Sequence, residues 1–249
     1  MVRIIVAPRI QARAALAQWE KEDSYYTGMV DPDSVAGPMN KKARRYPYLE
    51  TSEAQATSMT VELTAPIPIE GPLTIVYLDG KSDAGLPHTR GLRGIALPVF
   101  LLWQPNESTI QHEIVHLSQK QFPQQWWAWY KTTWNFRKAT EEEFMAIPER
   151  WRARRRMNPD TLGSPYTVWK DRWIPLSVFL SETEPDLRYC RRGFWDLQIS
   201  QWTWDVPPGW TAMFGEGFND EHPNEIAAHW IDGSAGKEKQ AFLRSTFRY

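Results

Sequence analysis

The chain has 249 residues, with Lys+Arg 29 against Asp+Glu 30 and a formal net charge of −1. That length is ample for a hydrophobic core, and the near-zero charge argues against non-specific nucleic-acid binding by the whole surface. One cysteine, Cys190, excludes an intramolecular disulfide and a thiolate-rich zinc site alike, so a metal here needs nitrogen and oxygen ligands.

In chain order, "MVRIIVAPRIQARAALAQWEKED" has too short an apolar run for a signal sequence, and "RIIVA" reads as a β-strand rather than part of a transit peptide. No run approaches the ~20 apolar residues of a membrane-spanning helix. With a single cysteine, these features point to an intracellular protein with no membrane partner. Residues 27–57 are polar and carry prolines, which predicts a long surface excursion. "SMTVELT" (58–64) alternates Met59, Val61 and Leu63 with polar residues, the period of a half-buried strand, and "LTIVYL" (73–78) reads as a more buried one. "GIALPVFLLW" (94–103) is a third strand candidate. Its Pro98 lacks a ladder donor, which suggests an edge strand or a bulge, and an edge strand could take up an extended peptide.

The next element is a helix over 108–121. Ser108 followed by Gln111 fits a capping box, Ile110, Ile114 and Leu117 form a core-facing stripe, and Pro123 ends it. Residues 124–156 look helical and aromatic, with Trp126, Trp127, Trp129, Tyr130 and Trp134 in a stripe read as core. "RWRARRR" (150–156) follows "EEE" (141–143), so it reads as a solvated helix whose charges match the macrodipole, and a phosphate-binding patch is the sharper alternative. Residues 157–215 carry turn signals between short apolar pieces and are expected to form loops and short elements. Pro223 at a first turn and Gly233 past an end predict a helix from Asn224 to Asp232.

Two of these helices, with the residues just before the second, hold four of the five histidines. "HEIVH" (112–116) sets His112 and His116 at i and i+4, on one helical face and able to bind one zinc ion, with Glu113 placed to take a proton from a water there. On the later helix Glu225 and His229 also stand at i and i+4. A catalytic zinc site uses three protein ligands and a water. The residues leave the third ligand open between Glu225 and His229. His222, just before Pro223, reads as a helix N-cap or as an oxyanion donor, a role Tyr166 or Tyr189 could also take.

"HEIVH" together with "NEIAAH" (224–229) resembles the zincin metallopeptidases of the gluzincin kind. The resemblance implies an α+β, zincin-like fold: an N-terminal mixed β-sheet, an HExxH active-site helix, and a mainly helical, Trp-rich C-terminal part. It implies one catalytic domain over 1–249, made of a β-rich part (1–104) and a helical part (105–249). It also implies one Zn2+, held by His112, His116 and Glu225, with Glu113 as general base, a peptide or protein as substrate, and hydrolysis of peptide bonds as the activity. The chain departs from the pattern in two places. The gap from His116 to Glu225 is long, and His229 stands where some gluzincins carry an aspartate that orients a histidine, with Asp232 one turn on. A reading of another class is an inactive zincin-like structural or interaction module that docks through "WDLQISQWTWDVPPGW" (195–210).

Overall fold

The computed structural model describes residues 1–29, 34–44, 46–51, 53–103, 106–163, 166–215 and 221–247. The chain runs β1 (Val2–Val6), α1 (Arg9–Asp23), α2 (Tyr25–Met29), α3 (Gly37–Ala43), β2 (Thr57–Val61), β3 (Leu73–Leu78), β4 (His88–Arg90), β5 (Gly94–Pro98) and α4 (Glu107–Gln121). It continues through α5 (Pro123–Trp134), β6 (Phe136–Lys138), α6 (Glu141–Met145), α7 (Glu149–Ala153), β7 (Thr167–Trp169), β8 (Trp173–Phe179), β9 (Cys190–Asp196), β10 (Gln201–Thr203), α8 (Trp210–Phe214), α9 (Pro223–Asp232) and α10 (Lys237–Thr246). Among the described residues, Ser82–Gly85, Val99–Leu101 and Pro159–Thr161 form 3-10 turns. The architecture is α+β, with a mixed N-terminal sheet and helices in the C-terminal part. Among the described residues no helix is long and apolar enough to cross a membrane.

Two compact units result: Met1–Met29, Arg44–Pro123 and Ala227–Tyr249 form one, Val30–Ala43 and Gln124–Ile226 the other. The first unit contains a five-stranded sheet in the order β2-β1-β3-β5-β4. Strands β1, β3 and β5 run parallel, while β2 and β4 pair antiparallel at the two edges. The apolar run Leu73–Leu78 suits β3 because a parallel strand is covered on both faces, and Leu73, Ile75, Val76, Tyr77 and Leu78 are all buried. Helix α1 covers one face: Ala12 and Trp19, two turns apart, pack with Ala7, Val76, Leu78 and Ala96. Gly94 makes this possible, since a Cβ there would lie 2.5 Å from the Trp19 indole.

The structure corrects the edge assignment of the third strand. β5 lies inside the sheet, between β3 and β4, and ends at Pro98. β4 pairs only with Gly94, Ile95 and Ala96, so the missing proline donor falls beyond its partner's reach. Residues 99–101 leave the strand in a 3-10 turn. Of the polar excursion 27–57, residues 30–33, 45 and 52 lie outside the described residues, and α3 forms within the remainder.

The second unit holds a feature that the turn-rich reading of 157–215 missed: an antiparallel sheet, β10-β9-β8-β7-β6. Its core is aromatic. Trp126, Trp129, Tyr130 and Trp134 lie at i, i+3, i+4 and i+8 of α5, so they share a face, and all four are buried, as are Phe136, Trp169, Phe194, Trp210 and Phe214. Most of these ring pairs meet edge to face, as Trp134 and Phe214 do with centroids 5.4 Å apart, the arrangement the ring quadrupole favours. The basic run is structural. Arg154 spans to Glu182 and the Phe179 carbonyl, Arg155 is buried against Tyr166, and the Arg156 amide donates to Ser177. Trp195 and Trp210 are buried, while Trp202 stacks on Trp151 at 4.3 Å.

Two outcomes follow from this packing. Gly94→Ala is expected to cost about 1–3 kcal/mol by overpacking against Trp19, measured by chemical unfolding, and a neutral result would show that α1 can shift freely. Glu143 forms a capping box with Thr140 and a fork to Arg137, and the Arg137 hydrogen bond is the main reason its pKa is lowered to about 2. A carboxylate lowered in the folded state contributes stability above its unfolded pKa of about 4.3, and the contribution fades as pH falls towards 2. Glu143→Gln is therefore expected to lower the thermal midpoint at pH 7 but not at pH 2, and equal losses at both pH values would exclude the charge as its source.

Candidate metal centre

Helix α4 begins two residues earlier than a Ser108 cap implies. Asn106 is the N-cap and accepts from the Ser108 amide at 3.0 Å. Gln111 turns instead to the chain at Glu62 and Thr64, accepting from the Thr64 amide. Ile110, Ile114 and Leu117 are buried as expected, and they hold the opposite face in register. On that face the His112 and His116 rings stand 4.8 Å apart at 77°. His116 is 1% exposed and the intervening Glu113 is 3% exposed.

Helix α9 also follows its sequence signals. It starts at Pro223 and ends at Asp232 before Gly233, whose φ of +86° is the left-handed stop that glycine adopts at little cost. Thr64 Oγ1 donates to the Ile231 carbonyl at 2.9 Å, and Ser108 Oγ to that of Asp232 at 3.4 Å, so the end of α9 is tied beside α4 within the first unit. Asp232 then meets His112: its Oδ2 lies 2.8 Å from the histidine Nδ1. The His229 ring packs edge-on against His112 at 4.7 Å, with its Nδ1 2.9 Å from Ser234 Oγ.

These contacts assign protons. A carboxylate and an amide oxygen can only accept, so Nδ1 of His112 donates to Asp232 and Nδ1 of His116 donates to Gln119 Oε1 at 2.8 Å. In its neutral form each ring then has Nε2 as its lone-pair nitrogen, the state a metal-binding histidine needs. Burial disfavours the charge on Asp232, but hydrogen bonds from His112, His229 and Ser234 outweigh it and hold the carboxyl far below the usual carboxylate range.

His112, His229 and Asp232 bring ligand-type atoms within 4.8 Å of one another. The closest pair in this group already shares a proton, so the group works as a hydrogen-bonded brace around His112. Glu225 stands one turn before His229 on α9, and its carboxylate accepts from Asn158 Nδ2 at 2.7 Å. The first turn of that helix, through Ile226, belongs to the second unit. The other candidates are in that unit too. His222 caps α9 by accepting the Asn224 amide on Nδ1 at 3.1 Å. Tyr166 stacks on Phe144 at 3.8 Å beneath Arg155, with burial raising its hydroxyl pKa, and Tyr189 is 64% exposed beside Arg188. Gln119 and Ser234 escaped the sequence reading. Gln119 carried a usable signal, since it lies three residues after His116 on the same helix.

No family model, curated protein or solved structure matches the chain. His112 and His116, each backed at Nδ1 by an oxygen acceptor, are the two imidazoles here that could hold a metal.

Asp232→Ala leaves the His112 N–H and the Ser234 amide without their acceptor. It is expected to destabilise the metal-free protein by about 1–3 kcal/mol, read from urea unfolding after chelation. No change would mean that the brace is dispensable to the fold.

Proposed function

We propose that this chain is a zinc-dependent hydrolase of peptide bonds, with His112, His116 and Glu225 holding the ion and Glu113 as general base. The observation that carries the reading is the imidazole pair on α4 with both Nδ1 atoms braced, next to a buried carboxylate on the same helix. Zinc bound there would supply Lewis-acid polarisation of the scissile carbonyl and of the attacking water. The chain's own residues do the rest. Glu113 takes the proton from that water and passes it to the departing amine. Asp232 and Gln119 keep the two ligand rings in the required tautomer.

We favour Glu225 over His229 as the third ligand. His229 is engaged edge-on with His112 and bonded to Ser234 within the Asp232 network, a position suited to bracing. Glu225 sits one turn nearer the helix start and matches the position implied by "NEIAAH". An interaction module that docks through residues 195–210 draws less support, because Trp195 and Trp210 are spent on the core of the second unit.

The test is metal content by elemental analysis on protein purified without chelator, together with hydrolysis of an unfolded protein substrate. Near-stoichiometric zinc is expected in the parent and in His229→Ala, and lost in Glu225→Ala. Glu113→Gln is expected to keep zinc and fold while hydrolysis drops by at least ~10²-fold. No zinc in the parent after adding it back would overturn the reading in favour of an interaction module, and parent-level hydrolysis by Glu113→Gln would overturn the assigned base.

A further inference from the structure

The fifth histidine lies outside the metal centre. His88 opens β4, the edge strand of the first sheet, and is 2% exposed. Its ring stacks on Tyr25 of α2, with centroids 5.0 Å apart and planes within 5°. Nδ1 lies 3.1 Å from the Leu86 carbonyl, which can only accept, so Nδ1 carries the proton. Nε2 then accepts from the Tyr48 hydroxyl at 2.7 Å.

Around this pair two guanidiniums face three carboxylates, and each of the three carboxylates is bonded to an arginine. Arg90, two residues on along β4, lies 4.4 Å over Tyr25 and 5.1 Å over Tyr48, donates to Tyr48, and is held by Glu20 and Asp23 of α1 at 2.7 and 2.9 Å. On the other side Asp83 pairs with Arg44 at 2.9 Å and hydrogen-bonds to Tyr25. Burial pushes the hydroxyls of Tyr25 and Tyr48 above their ordinary range, so neither ionises near neutrality. The donors therefore run one way, from Arg90 to Tyr48, from Tyr48 to His88, and from His88 to Leu86. Histidine is the side chain that ordinarily changes charge between pH 5 and 8, and within this cluster that side chain is His88.

We propose that the Tyr48–His88 hydrogen bond is an acid-released latch that holds edge strand β4 to α2 and to the segment carrying Tyr48. A proton on Nε2 turns the acceptor into a donor facing the hydroxyl, and the buried Tyr48 O–H loses its acceptor. It also adds a positive charge, away from solvent, against the two tyrosines that already carry the Arg90 guanidinium. The same strand is tied to α4, because the next residue of β4, Thr89, accepts at its carbonyl from Lys120 at 3.1 Å. The folded state holds His88 neutral, whereas an unfolded histidine takes up its proton near pH ~6.5. The latch's contribution is therefore complete above that pH and falls below it, by up to roughly tenfold in the unfolding constant per pH unit.

The test is urea unfolding of the full chain at pH 7.5, 6.5 and 5.5, comparing the parent with His88→Gln, whose amide accepts from Tyr48 without titrating. Between pH 6.5 and 5.5 the unfolding constant of the parent is expected to rise several-fold more than that of the variant. Equal pH dependence in the two would overturn the latch, and the comparison cancels the histidines of the metal centre. A second readout serves if His88→Gln does not fold. The His88 Cε1–H resonance of the parent, identified by its shift in Tyr48→Phe, is expected to stay unprotonated down to pH ~5.5, and titration at or above ~6.5 in the folded chain would overturn the proposal.

Discussion

The hydrogen bond between His112 and Asp232 joins positions 120 residues apart in sequence, and the proposed chemistry depends on it. Burying a carboxylate is costly unless its oxygens are satisfied. Here one oxygen faces His112 and the other accepts the Ser234 amide at 2.7 Å. The same contact decides which nitrogen of His112 holds the proton, so the bond that closes the fold around α9 also sets the ring in a ligand-type state. Fold and site are linked at this bond: moving the end of α9 would change both the packing and the tautomer.

Strong local signals were legible in the sequence. The six-residue run of β3 was read to the residue, and the helices carrying the histidines were read to within a residue or two, because apolar stripes and Pro/Gly punctuation need no tertiary context. The i, i+4 placement of His112 and His116 followed directly from the helix. The fate of Pro98 was not legible, because whether a proline harms a strand depends on which neighbour reaches it, and β4 ends its pairing two residues short. The second sheet was hidden for a related reason. Its strands β6, β7 and β10 have three residues each, too few for a period to register, and β8 contains Pro175. That proline is tolerated because β7 pairs with β8 only at Trp173, leaving Pro175 paired on one side alone, with Phe194 of β9. Tryptophan adds to the ambiguity, since it fits a helix core and a pleated face equally well.

The two units hold themselves together by different physics. In the second, large rings interlock and arginines lie over indoles, as Arg154 and Arg150 do on Trp151. In the first, aliphatic packing beneath the sheet is combined with buried ion pairs at its β4 edge. Such pairs contribute little net stability, because desolvation offsets their attraction, yet breaking one leaves an isolated buried charge. Their use here is positional. Asp83 and Ala84 both sit at positive φ, 47° and 57°, a conformation that costs roughly 1–3 kcal/mol for a residue with a side chain. It persists because it delivers the Asp83 carboxylate to Arg44 and Tyr25, fixing the turn that leads into β4.

The five histidines show how one side chain takes separate roles through what each ring nitrogen meets. In His112 and His116 an oxygen acceptor claims Nδ1, which makes Nε2 the basic nitrogen. His222 is the reverse case: its Nδ1 accepts a backbone amide, which places the proton on Nε2 and makes the ring a cap. His88 is engaged at both nitrogens, by the Leu86 carbonyl and the Tyr48 hydroxyl, so its basicity is directed at a buried hydroxyl. His229 bonds to Ser234 at Nδ1 while its ring edge steadies His112. Spacing along the chain groups four of the five by helix, but only the partners at each nitrogen separate ligand-type rings from braces, caps and latches. Those partners come from residues as distant as Asp232 is from His112, which is why the helices and the His222 cap could be read from sequence and the partners of His88 and His112 could not.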